Sequence, residues 1–165
     1  MCKYLKRESR FLLDNITIIC LAAFLCAVGG VFLWVNGGSS WYLIRTSAGA
    51  PPLSVVFSVW VITYGLTGAA ASMIWLVYRH GKCEFSHTIP WFCLALMSYL
   101  FMLVWYAVFF CTRLVVFAAI VLIISCIADV LLLLFMRKTL IIFSLTMGII
   151  IAVQMYFIWF TFAVA

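Results

Sequence analysis

The chain has 165 residues, of which 69% are hydrophobic and only 8% charged, with a mean hydropathy of +1.31. A soluble domain carries about 25% charged residues and roughly half apolar ones, so ten basic and four acidic side chains are too few for a water-exposed surface of this size. The net charge of +6 sits at the ends of apolar runs rather than in a polar, aromatic-interleaved patch, which argues against a nucleic-acid partner.

In chain order the apolar runs cover about 11–35, 53–78, 90–111, 114–136 and 140–165. Each is long enough for a membrane core that needs ~20 residues of helix. Lipid offers the backbone no water, so such runs are helices unless they close as a barrel. Barrel strands alternate over ~10 residues, and these runs are continuous. The reading is a single all-α integral membrane domain over 1–165, a five-transmembrane-helix bundle whose first partners are membrane lipids. The first run exceeds the ~7–15 apolar residues of a cleavable signal, and no polar mature domain follows it.

Basic residues orient the spans. Lys3, Lys6, Arg7, Arg10, Arg79, Lys82, Arg137 and Lys138 fall on one side, Arg45 and Arg113 on the other. The positive-inside rule then places the N-terminus in the cytosol and the 36–52 loop on the far side. Which membrane is left open: mitochondrial outer membrane or endoplasmic reticulum in a eukaryote, the cell membrane in a bacterium.

The connection "NGGSSWYLIRTSAGAPP" is the longest, with glycines as flexible points and Pro51-Pro52 as a rigid entry to the second span. Its length suits a lid over the far-side mouth of the bundle. Within the second span, Gly65–Ala69 and Gly68–Ser72 are small-xxx-small pairs that allow close helix approach. Packing inside the bundle is the expected use, with a homodimer as the alternative. The next connection spaces His80, Cys83, Glu84 and His87 so that a helical turn would gather them. Gly81 and the shortness of the segment favour a solvated connector instead, so no metal and no cofactor is expected. Cys20, Cys26, Cys93, Cys111 and Cys126 lie in apolar runs and act as small hydrophobes.

Asp129 falls in the middle of the fourth span, with Ser125 one turn before it. A charged side chain there costs about 2.5–3.5 kcal/mol on insertion scales, which calls for a partner, water or a proton. Thr146, Gln154 or a tyrosine hydroxyl are the candidates. Trp34, Trp41, Tyr42, Tyr78 and Trp91 sit near span ends, where aromatic belts form. Trp60, Tyr64, Trp105 and Phe109 lie deeper. Trp60 and Tyr64 are four apart and share a helix face, and flat rings with a polar tip suit a planar amphipathic ligand.

The order of these residues resembles the translocator / tryptophan-rich sensory protein (TspO/MBR) family. "VGG" ending at Gly30, Trp41-Tyr42, Pro51-Pro52, then Trp60, Tyr64, Gly68 and Trp75 follow its pattern. "VWYAVFF" (Trp105, Phe109, Phe110) and "QMYFIW" (Tyr156, Trp159) are similar to its third- and fifth-helix motifs. The resemblance implies a five-helix fold and a ligand site at Trp41, Pro51, Pro52, Trp60, Tyr64, Trp105, Phe109, Phe110 and Tyr156. It also implies a porphyrin (tetrapyrrole) or sterol as the hydrophobic small-molecule partner. Ser98 and Met102 stand where the family carries Gln and Asn. The fourth-helix Trp tied to porphyrin breakdown in bacterial members falls near Ser125 or Cys126. The expectation is therefore a receptor or carrier that is not an enzyme. The alternative is a small membrane channel or adaptor without a dedicated pocket.

Overall fold

The computed structural model describes residues 13–36, 51–80, 85–136 and 141–164. They form five α-helices: α1 (Ile16–Asn36), α2 (Leu53–Arg79), α3 (Phe85–Tyr106), α4 (Val115–Met136) and α5 (Ile141–Val164). A π-helical segment, Ala107–Thr112, continues α3. Four stretches, Leu53–Arg79, Thr88–Thr112, Val115–Met136 and Ile141–Phe162, are long and apolar enough to cross a membrane. The first helix contributes a shorter apolar stretch, Ile16–Val31. The architecture is that of an all-α, multi-pass membrane protein. Its outer faces carry large apolar side chains such as Phe24, Ile62, Leu145 and Phe162.

Helix α2 packs against α1, α3 and α5, while α4 packs against α3 and α5 on the opposite side. Four helices thus enclose the core, and α1 lies outside, seated mainly on α2. Small residues make that seat. A Cβ added at Gly68 would run into the Ala22 carbonyl oxygen and the Cys26 side chain, and one at Gly65 would touch Ala23 and Ala27. One added at Gly30 would enter the Tyr64 ring. The small-residue pairs of α2 therefore serve packing within the chain. Gly68→Val should cost ~1–3 kcal/mol, the usual penalty of overpacking, read as a lower thermal midpoint in detergent. Gly148→Ala is the control: its Cβ would meet nothing within 4 Å, so it should be neutral or raise the midpoint, since alanine is the better helix former.

Helix ends follow backbone chemistry. Pro52 occupies the N-cap of α2 with extended ψ, and its carbonyl accepts from the amides of Val55 and Val56. Proline fits there because its own missing N–H precedes the first intrahelical bond. The third helix starts earlier than the sequence suggests, at Phe85 rather than near residue 90. Pro90 consequently lies more than a turn inside it, where it removes one backbone donor near the helix start. The apolar run begins at Ile89-Pro90, so hydropathy alone places the boundary too late. At the other end Arg113 adopts φ 61°, the left-handed conformation, and ends the segment before α4 begins. Glycine is the usual residue in this role.

Two apolar clusters fill the bundle. One holds Val56, Trp60, Tyr64, Met102, Trp105, Phe109, Phe110, Leu122, Phe157 and Phe160. The other holds Ile74, Val77, Ala95, Leu132, Met136, Phe143, Met147 and Ile150. Between them along α3, α4 and α5 lie the buried polar residues Ser98, Ser125, Asp129 and Gln154. A polar layer near mid-bundle therefore separates an aromatic half from an aliphatic half.

Candidate functional site

The aromatic half is built from four elements. Trp60 and Tyr64 come from α2, Trp105 from α3, Phe109 and Phe110 from the π-helical segment, and Phe157 and Phe160 from α5. Trp60 stacks on Trp105 with ring centroids 4.5 Å apart, and Trp105 stacks on Phe109 at 5.1 Å. Phe157 closes against Trp60 at 5.0 Å. Tyr64 tilts against Trp60 at 5.7 Å and donates its hydroxyl to the Met102 carbonyl at 3.1 Å. Five residues assigned to the site from sequence, Trp60, Tyr64, Trp105, Phe109 and Phe110, therefore meet inside the bundle.

Their interlocking differs from the open pocket that the sequence led one to expect. Trp60, Trp105 and Phe109 stack in a row with the other rings tilted or edge-on around them, and a planar guest would have to part Trp60 from Trp105. The indole Nε1 atoms of both tryptophans are buried without a hydrogen-bond partner. Buried Trp N–H groups usually have one, and leaving a donor bare costs roughly 1–3 kcal/mol. Two such donors in one stack are the clearest chemical irregularity of the interior.

The other assigned residues lie elsewhere. Tyr156 faces outward at 45% exposure beside Trp159 at 64%, away from the aromatic stack. Along α5 the buried positions are Phe143, Thr146, Met147, Ile150, Gln154, Phe157, Phe160 and Thr161. That three- and four-residue spacing defines the inner face, and residue 156 falls off it. Phe157, its neighbour, takes the inward place. Pro51 is half-buried and Pro52 exposed at the mouth of α2. Of the lid expected over 41–52, Trp41, Tyr42 and the rest up to residue 50 lie outside the described residues, as do Cys83 and Glu84 of the connector. His80 holds its Nδ1 3.0 Å from the Leu76 carbonyl. Among the described residues no three His, Cys, Asp or Glu side chains gather as a metal site.

The π-helical segment is the feature that sequence reading missed. An i→i+5 turn is wider than an α turn, and such segments recur at functional sites. Here it lets consecutive residues Phe109 and Phe110 both turn inward, their rings edge to face at 5.0 Å. The adjacent aromatic pair before a two-residue connection is the signal that was available.

Asp129 lies in the polar layer with 1% exposure. Its Oδ2 accepts from Ser98 Oγ at 2.7 Å and from Gln154 Nε2 at 2.8 Å. Gln154 Nε2 also donates to Ser125 Oγ at 3.0 Å, and Ser125 Oγ donates to the Ser98 carbonyl at 3.2 Å. Of the partners foreseen, Gln154 is present. Thr146 instead bonds the Ile142 carbonyl of its own helix, as Thr commonly does in apolar helices. Tyr99 sends its hydroxyl to the Cys26 carbonyl.

A separate groove of about 220 Å³ opens on the side of α2 and α3, lined by Trp75, Tyr78, Thr88, Ile89, Phe92 and Cys93. Trp75 thus faces this outer groove and not the aromatic stack. No family model matches the chain, and no curated protein is similar to it at a significant level.

Proposed function

We propose that this chain is a membrane receptor or carrier for a planar hydrophobic molecule of the porphyrin or sterol class, related to the TspO/MBR family. The observation that carries the reading is the buried Trp60–Trp105–Phe109 stack with two unpartnered indole donors. Stacked rings offer a flat guest the same contacts they give one another. A ligand acceptor, such as a propionate, carbonyl or hydroxyl oxygen, would supply what Nε1 of Trp60 and Trp105 lack. Entry would exchange ring–ring contact for ring–ligand contact with little net loss of burial.

Protoporphyrin titration of the purified protein, followed by tryptophan quenching, tests this. Trp60→Phe and Trp105→Phe keep the aromatic face but remove the donor, and each should weaken binding about tenfold, equivalent to ~1.4 kcal/mol. Trp159→Phe, at an outward position, should leave affinity unchanged. Equal affinity in all three variants would remove the stack from the site. No binding of either protoporphyrin or sterol would favour the channel or adaptor reading.

Binding without turnover is the expected activity. Ser125 and Cys126 provide no indole for radical chemistry or tetrapyrrole stacking on α4, and Phe117 and Phe135 on that helix face outward. Bound protoporphyrin should survive illumination as well with wild type as with Ser125→Ala. Light-dependent loss of its spectrum, abolished by a single substitution, would make the chain an enzyme.

A further inference from the structure

The polar layer holds a second irregularity, independent of the aromatic stack. Asp129 Oδ1 and Gln154 Oε1 are both buried acceptors with no hydrogen-bond donor. The same two side chains are already joined through Nε2–H and Oδ2 at 2.8 Å. Asp129 Oδ2 thus receives two donors, from Ser98 and Gln154, while Oδ1 receives none. The hydroxyls are committed elsewhere: Ser98 to Oδ2, and Ser125 to the Ser98 carbonyl. Two bare acceptors on a joined acid and amide lack one hydrogen between them.

Among the described residues, no side chain supplies that charge or that hydrogen. The described basic residues Arg79, His80 and Arg113 are exposed near helix ends. Helix α3 presents Ser98 to the carboxyl and α5 presents Gln154. Cys126, the ionisable neighbour on α4 itself, brings no positive charge. The other described ionisable side chains of the packed elements turn away or lie apart. Tyr99 bonds Cys26, Tyr106 tilts against Phe110, and Cys93, Cys111 and Tyr156 are exposed. The π-helical segment meets α4 within the aromatic cluster, where its buried residues are Phe109 and Phe110.

We propose that Asp129 and Gln154 form a proton-binding site at the centre of the bundle, the proton carried on Asp129 Oδ1 and donated to Gln154 Oε1. Hydronium gives up one proton, an O–H bond forms at Oδ1, and water leaves. The acid and amide then pair along both edges, in the cyclic arrangement that carboxylic acids and primary amides adopt. A metal ion fits less well, because only two oxygens are uncommitted and a hard cation such as calcium takes 6–8. A proton needs no cavity. Charge neutrality and hydrogen-bond satisfaction are met together, and the site is loaded or emptied only when water reaches the layer.

Asp14 and Asp129 are the two aspartates of the chain, which makes the site addressable. Protein carrying carboxyl-labelled aspartate and the Asp14→Asn substitution reports on Asp129 alone by infrared spectroscopy. The expected result at neutral pH is a protonated-acid C=O band that is insensitive to sodium. In Gln154→Met the band should move to the higher frequency of a less hydrogen-bonded acid, because the acceptor is gone. Asp129→Asn, which places an N–H where the acid O–H would be, should keep wild-type helicity and tryptophan emission. A carboxylate band in the folded protein would overturn the proposal. So would a protonated band that Gln154→Met leaves in place, or folding that depends on sodium over choline.

Discussion

Replacing Trp105 by alanine should destabilise the protein by ~3–5 kcal/mol, the range for truncating a fully buried tryptophan, and should be the largest effect of any substitution considered. The indole is completely buried and contacts Trp60, Phe109, Phe110 and Phe157 at once. Aromatic pairs add ~0.5–1.5 kcal/mol each beyond burial, and this ring takes part in four. Its loss leaves a cavity that the surrounding rings, fixed on three separate elements, refill only in part. Reversible unfolding in mixed micelles gives the number. Trp105→Phe should recover most of the stability while lacking the donor. Binding lost in Trp105→Phe, with stability kept, would separate the ligand role of the indole from its packing role. A change below ~1 kcal/mol for the alanine variant would mean that the stack is loosely held.

The second large effect is one of sign. Gln154→Met keeps shape but removes the amide that donates to Asp129 Oδ2 and Ser125 Oγ. It should cost ~1–3 kcal/mol, because the acid remains buried with Ser98 as its donor. Adding Asp129→Leu should then restore stability rather than lower it further. Replacing a whole buried polar set by apolar residues is often neutral or stabilising, whereas breaking one partner is not. Unfolding midpoints of the two single variants and the double variant decide the matter. A double variant less stable than Gln154→Met would contradict the account of Asp129 and Gln154 as mutually dependent partners.

How far these features could be read from sequence depends on the distance over which each is encoded. Span position is local: Leu53 and Val115 start helices where hydropathy places them, within a residue or so, whereas the first run, expected over 11–35, contributes a shorter apolar stretch, Ile16–Val31. The inward placing of Trp60 and Tyr64 follows from their four-residue spacing once one of them faces the core. For Tyr156 the motif resemblance and the helical phase point to different faces, and the ring faces outward. Gln154, Phe157 and Thr161 mark the inner face of α5, and residue 156 lies off it. Ser98 could not be assigned to Asp129 by spacing, since they are brought together from different helices. The π-helical turn depends on what two adjacent phenylalanines pack against, and the empty space available to them is a tertiary property. Pro90 shows the reverse case, a local rule overridden by a helix that begins earlier and tolerates it.

The polar layer also bears on how the helices find their vertical alignment. Leu, Ile, Val and Phe surfaces slide past one another in lipid with little preference for one stagger over another. Ser98, Ser125 with Asp129, and Gln154 each mark a height on their own helix, and their bonds form only when the three marks coincide. They act as notches that index α3, α4 and α5 against each other. One residue inserted into α4 between Leu122 and Ser125 would rotate the acid by about a quarter turn and raise it by ~1.5 Å, withdrawing it from both partners at once. The same insertion after Leu132 would leave the notches aligned and shift only apolar surface. The four polar side chains would thus set the tolerance of the chain to insertions, by position along the helix rather than by depth of burial.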